Sequence, residues 1–131
     1  MNMKPEFLSL AEALEIHQDQ LVRYGGEAGI RDLGLLKSAI SMPSATYGGE
    51  FLHSDIYEMA AAYLFHIVQN HPFLDGNKRT GAVAMLIFLI LNGYDFDAPE
   101  DSFAQMTLDV AGGEMSKPEI AVFIRRWAVK H

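Results

Sequence analysis

Cysteine is absent from this chain of 131 residues, which excludes disulfides, thiolate zinc sites and a cysteine nucleophile at once. Positive charge is scarce: Lys and Arg total 10 against 17 Asp and Glu, a formal net charge of −7. That balance argues against general binding to nucleic acid or to an anionic membrane, so an anionic ligand must find its positive field locally. Long apolar runs are missing too. The longest, Ala82 to Leu91, falls well short of the ~20 residues that span a bilayer. No charged-then-apolar leader opens the sequence, and no repeat, linker or low-complexity stretch interrupts it. The expectation is a single cytoplasmic domain over residues 1–131, without a direct nucleic-acid or membrane partner. With 50% hydrophobic and 21% charged residues, it can bury a substantial core.

What the chain does have is concentrated in His71-Pro72-Phe73-Leu74-Asp75-Gly76-Asn77-Lys78-Arg79-Thr80. Apolar segments of helical periodicity flank this stretch, so it reads as the tight loop between two helices. It holds a base (His71), a carboxylate (Asp75), an amide (Asn77) and two cations (Lys78 and Arg79) within nine residues. Such a cluster is costly between apolar helices unless a ligand satisfies it. Gly76-Asn77 can open the second helix, whose first N–H groups lack intrahelical partners and, with the macrodipole, favour a phosphate. Lys78 and Arg79 sit at the helix end that disfavours cations, which makes sense if an anion lies between them and the amides. Asp75 cannot hold a phosphate, but a carboxylate beside phosphates is the usual protein ligand for Mg²⁺. Histidine is the side chain whose ordinary pKa lies near neutrality, so His71 is the natural proton acceptor. Taken singly, these residues have plainer readings. Asp75-Gly76 is a turn signal, Asp75 or Asn77 could be a helix cap, His71 a loop residue, and Lys78 and Arg79 a solvated face. Their joint occurrence points to a phosphate-transfer site.

The stretch HPFLDGNKRT resembles the signature of the Fic/Doc family, and the neighbouring Gly29-Ile30-Arg31-Asp32-Leu33-Gly34-Leu35-Leu36 and Tyr47-Gly48-Gly49-Glu50 resemble its Doc (death-on-curing) toxin branch. The likeness runs from about Phe7 to Trp127. Lys78 stands where the AMP-transferring Fic pattern has Gly, and Ala82 where that pattern ends in a second Arg; both departures point to the Doc branch. Gly76, in contrast, is Fic-like, since the founding Doc toxin has Ala there. The resemblance implies a toxin that transfers the γ-phosphoryl group of ATP to a protein hydroxyl, a Thr of elongation factor Tu, and so arrests translation. In that scheme His71 accepts the hydroxyl proton and Asp75 holds Mg²⁺. Asn77, Lys78, Arg79 and the N–H groups around Gly76 bind the phosphates, with Lys78 and Arg79 stabilising the transferring group. It also implies a Phd-like antitoxin acting in trans. The inhibitory Ser/Thr-x-x-x-Glu-Gly/Asn helix of AMP-transferring relatives is approached only by Ser54-x-x-x-Glu58, which Met59 follows. The rivals are an AMP transferase built on the same residues and a non-catalytic module that only binds a partner.

The rest of the chain predicts an all-α bundle of about six helices around a buried central one. Ser9-Leu10-Ala11-Glu12 is a capping box. It opens a helix with Leu10, Ala13, Leu14, His17, Leu21 and Tyr24 on one face, stopped by Gly25-Gly26. His17 on that face reads as a buried, hydrogen-bonded core residue rather than a second catalytic imidazole. A second helix runs from Asp32 to about Ser41, and Pro43 ends it. Residues 42–53 read as a surface loop or short hairpin. The family resemblance makes this segment a flap that docks the target peptide by strand addition, through Tyr47, Gly48 and Gly49. Ser54 is expected to cap a third helix with the stripe Ile56, Met59, Ala60, Tyr63, Leu64 and Ile67. His66 and His71 are five apart, the wrong spacing for a zinc pair on one helical face. The fourth helix, about Asn77 to Asn92, is apolar all round after its small residues Gly81, Ala82 and Ala84, which marks it as the central one. Gly93 ends it, and residues 94–99 are expected to turn. Near Asp101 a fifth helix begins with Phe103, Met106 and Val110 inward. Ser116-Lys117-Pro118-Glu119 opens a sixth with Ile120, Phe123, Ile124 and Trp127 on one face. Arg125 and Arg126 near its C-terminus complement its dipole, with a phosphate role as the second reading.

Overall fold

The computed structural model describes residues 4–131. Six helices carry it: α1 (Leu10–Tyr24), α2 (Leu33–Ser41), α3 (Ile56–Asn70), α4 (Asn77–Leu91), α5 (Glu100–Ala111) and α6 (Lys117–Trp127). Four very short strands accompany them: β1 (Thr46–Tyr47), β2 (Glu50–Phe51), β3 (Tyr94–Phe96) and β4 (Ala128–Lys130). The fold is the expected all-α bundle. No described helix is long and apolar enough to cross a membrane.

The helix starts follow local chemistry. Ser9 and Ser116 both form full capping boxes, with Glu12 and Glu119 answering. Asp32 caps α2 by accepting from Leu35 N–H. At α3 the cap is Asp55, which accepts from Glu58 N–H, and not Ser54. The Ser54 hydroxyl instead donates to the Glu58 carboxylate at 2.7 Å. A carboxylate one residue closer to the helix competes better for its first N–H groups, at the end where negative charge is favoured. On α1 the buried face is Ala13, Ile16, His17 and Gln20; Tyr24, expected inward, is 66% exposed.

The central helix is α3, not α4. It packs on α2, α4, α5 and α6, and Met59 through Leu64 are all fully buried. Ala60, Ala61 and Ala62 carry so little side chain that neighbours close in on every side. The unbroken apolar run of α4 had suggested otherwise, yet Ile90 and Leu91 at its end are 53% and 41% exposed. Residues 94–99 hold more than a turn: β3 pairs antiparallel with β4, Tyr94 opposite Lys130 and Phe96 opposite Ala128. Strands of three residues leave no alternation long enough to read. The segment after α2 does form a hairpin, with Thr46 opposite Phe51 and Tyr47 opposite Glu50. Gly48 and Gly49 turn it at φ 60° and 83°, the positive values a two-residue hairpin loop requires.

Candidate active site

The signature loop is built from its buried members outward. Phe73 is fully buried and its ring stacks on His17, centroids 3.7 Å apart and planes within 5°. His17 Nε2–H donates to the Asp75 carbonyl at 2.8 Å. The expected core histidine is therefore a support under the loop. Asn77 is buried as well, and its amide is spent on the loop backbone: Oδ1 accepts from Phe73 N–H at 2.9 Å and Nδ2 donates to Phe73 C=O at 3.0 Å. Any contact of Asn77 with a ligand falls to its main chain.

A second strip of chain holds the loop from outside. Leu74 N–H donates to Gly29 C=O, and Arg31 and Asp32 N–H groups both donate to Pro72 C=O, at 3.1, 2.7 and 3.0 Å. The Arg31 guanidinium donates to the His71 carbonyl from Nε at 2.6 Å and to the Asn70 carbonyl from Nη2 at 2.8 Å. These are among the last carbonyls of α3, which a cation at the C-terminus is well placed to satisfy. His71 caps that helix in the left-handed region at φ 50°, and no other described residue with a side chain has positive φ. Sequence reasoning assigned Arg31 no role. Its signal was present, since Arg31 lies in the Gly29–Leu36 stretch that carried part of the resemblance.

Asp75 is exposed, and each carboxylate oxygen accepts one N–H: Oδ2 from Glu27 at 3.1 Å and Oδ1 from Gly76 at 2.8 Å. The Glu27 bond, then the Gly76 bond, hold its pKa below the usual carboxylate range, with Arg79 and Lys78 adding smaller pulls. Gly26 makes this possible, because a β-carbon there would stand 2.8 Å from Asp75 Oδ2. Gly25-Gly26 had been read only as a helix stop. Gly76 precedes α4 at φ 78°, and no side chain caps the helix. The first-turn N–H groups are left to a ligand or solvent. Arg79 is anchored by Nη2–H to the Gly25 carbonyl at 3.1 Å, its guanidinium 5.4 Å above the Tyr24 ring. Lys78 is exposed.

His71, Asp75, Gly76, Asn77 and Lys78 line one hollow of about 120 Å³. Lys78 also lines a larger cavity of about 680 Å³, together with Arg79, Tyr24, Glu100, Asp101, Phe103 and Leu108. The imidazole and both cations thus meet at two adjoining hollows that share Lys78. Tyr47, Gly48 and Gly49 at the hairpin tip line neither hollow. Among the described residues no group of three or more His, Cys, Asp or Glu side chains could hold a metal ion by itself. Asp75 fits Mg²⁺ in another way. Its oxygens are hard ligands with lone pairs left after one N–H each, the single-carboxylate arrangement that substrate phosphates and water complete. Arg125 bonds Asp55 at 3.0 Å and Arg126 lies over the Trp127 ring, so neither belongs to this site.

The chain is similar to known proteins along much of its length. A model of the Fic/DOC family matches residues 7–89. The protein kinase doc of Escherichia phage P1 is 36% identical over 120 residues, covering 91% of this chain and 93% of that protein. The toxin Doc of Mycolicibacterium smegmatis is 40% identical over 86 residues, 61% of this chain and 66% of that protein.

Proposed function

We propose, from the premise that this chain belongs to the Fic/Doc family, that it is a Doc-like toxin moving the γ-phosphoryl group of ATP to a protein hydroxyl. The observation that carries the reading is the shared lining residue: Lys78 borders both the small hollow with His71 and the larger cavity beside it. A nucleotide laid across the two puts its phosphate tail at the uncapped start of α4 and its nucleoside against Tyr24, Phe103 and Leu108.

The acceptor oxygen attacks the γ-phosphorus, the bond from that phosphorus to the bridging β–γ oxygen breaks, and ADP leaves with the electron pair. His71, whose imidazole makes no hydrogen bond within the described residues, takes the proton of the attacking hydroxyl. The first-turn N–H groups of α4 and the Lys78 ammonium bind the transferring group, and Arg79 spreads its remaining N–H groups over the neighbouring phosphates. Asn77 contributes through its main-chain N–H and through the loop shape its amide enforces. Mg²⁺, held by Asp75, would neutralise charge on the phosphate oxygens. Because the amides are fixed by the fold before substrate arrives, they need little reorganisation during the reaction. The hairpin offers unpaired strand edges on which an extended target peptide can add, with Tyr47, Gly48 and Gly49 at its turn.

The target is a Thr of elongation factor Tu, its modification arrests translation in the cytoplasm, and a Phd-like antitoxin silences the chain in trans. ATP labelled separately at the α and γ positions tests the chemistry in a cell extract. Protein-bound label from the γ position alone is the expected outcome. Label retained from the α position would mean AMP transfer instead.

A further inference from the structure

Outside the signature loop, one cluster of titratable groups has no task. Lys117 is the first residue of α6, and its Nζ lies 2.9 Å from His66 Nε2, on α3, and 3.0 Å from His53 Nε2. His53 is buried, and its Nδ1 makes no full hydrogen bond, although the Met42 backbone favours a proton on the ring. Lys117, His53 and Glu58 line a cavity of about 340 Å³ whose remaining wall includes Pro118, Ala121 and Val122.

This lysine has little of what normally keeps an ammonium charged: its cation–π contact is the Phe65 ring, 5.8 Å from Nζ. None of the ion pairs among the described residues includes it. Its half-buried amine is desolvated, and it sits at the positive end of a helix dipole. Glu58 is turned to Ser54, whose hydroxyl it accepts at 2.7 Å. The acceptors around Nζ match a neutral amine. Two imidazole nitrogens can take the two hydrogens of –NH₂ and leave the lone pair in the remaining tetrahedral direction, whereas –NH₃⁺ would carry a third hydrogen with only the Phe65 ring beside it. Burial lowers the Lys117 pKa accordingly. Burial lowers the His66 pKa, so that ring remains a neutral acceptor at physiological pH.

We propose that Lys117 is a nucleophilic amine, the position at which this chain is acylated by small acyl phosphates. Nζ attacks the acyl carbonyl carbon and the new C–N bond forms. The acyl–oxygen bond breaks with its electron pair leaving on phosphate, and the surplus amine proton passes to an imidazole Nε2 and then to solvent. The product is an uncharged amide, and its acyl group occupies the 340 Å³ cavity. An amide keeps a single N–H, so one of the two rings loses its partner, and acylation loosens the contact between α3 and α6.

The test is a time course of the intact chain with acetyl phosphate at neutral pH, read lysine by lysine from peptide masses. Lys37 and Lys130, both exposed, are the internal references. A lowered pKa raises the unprotonated fraction at neutral pH, so Lys117 should be acetylated clearly faster than either reference. In His66→Gln the Lys117 rate should drop towards the references while theirs stay fixed. A Lys117 rate no higher than Lys37 and Lys130 in the unaltered chain overturns the proposal, whether or not the variant folds. A rate that His66→Gln leaves unchanged overturns the role given to the imidazoles.

Discussion

His71 holds a left-handed backbone conformation at φ 50°, which costs a residue with a β-carbon roughly 1–2 kcal/mol. Something must hold it there, and the Arg31 fork on the Asn70 and His71 carbonyls is the strongest restraint present. Arg31 lines neither hollow, so it is a positioning residue rather than a catalytic one. Arg31→Ala should lower kcat on the order of 10²-fold through misplacement of the imidazole, with KM for ATP nearly unchanged. Steady-state kinetics with and without added guanidinium checks this. Partial rescue by the free cation is expected, and a loss confined to KM would contradict it. The residues of the signature were legible because they depart together from what apolar helices tolerate. Arg31 fell within the Gly29–Leu36 likeness, but its role was not legible, because a lone arginine some forty positions upstream has no local periodicity or spacing that ties it to the loop.

At the scale of elements, the loop between α3 and α4 is a folded unit with its own core. Phe73 stacks on His17 and both its backbone groups are answered by one side chain, Asn77. Asn77→Ala leaves a buried N–H and a buried C=O without partners, a loss of about 2 kcal/mol. A fall in the denaturant midpoint with an unchanged slope is the expected readout. A variant as stable as the parent would show that the amide is there for the ligand alone. Helices were readable where polar chemistry marks an end: Ser9 with Glu12 and Ser116 with Glu119 form the boxes their spacing predicts. At α3 two good caps compete side by side, and only geometry shows that Asp55 is used while Ser54 turns to Glu58. The β3–β4 pair was invisible because each strand is three residues long and its partner lies more than thirty residues away.

For the whole molecule, the acidic balance and the local positive charge at the start of α4 belong together. With a net charge of −7, the chain repels polyanions in general, and under the proposed function a phosphate is drawn in where Lys78, Arg79 and the uncapped amides of α4 converge. The arrangement depends on α3 being the buried axis. His71 caps its C-terminus, the next helix begins after Gly76 with no side-chain cap, and both ends are fixed by the same packed core. Composition and periodicity gave the bundle but not its axis, since an apolar run shows that a helix can be covered and not that it is. Bundle order was recoverable only from which side chains meet: the triple alanine of α3 is enclosed, while Ile90 and Leu91 of α4 face solvent.

The central claim is that His71 takes the proton of an acceptor hydroxyl while the start of α4 grips the phosphate. It is tested most directly by the intact mass of the acceptor protein after incubation with Mg-ATP and either the unaltered chain or His71→Ala. The imidazole is exposed and makes no hydrogen bond among the described residues, so the variant should keep its stability to within about 0.5 kcal/mol. The account predicts a gain of about 80 Da, one phosphoryl group, with the unaltered chain and none with the folded variant. Equal gains with both chains, or a gain of about 329 Da, one adenylyl group, would contradict it.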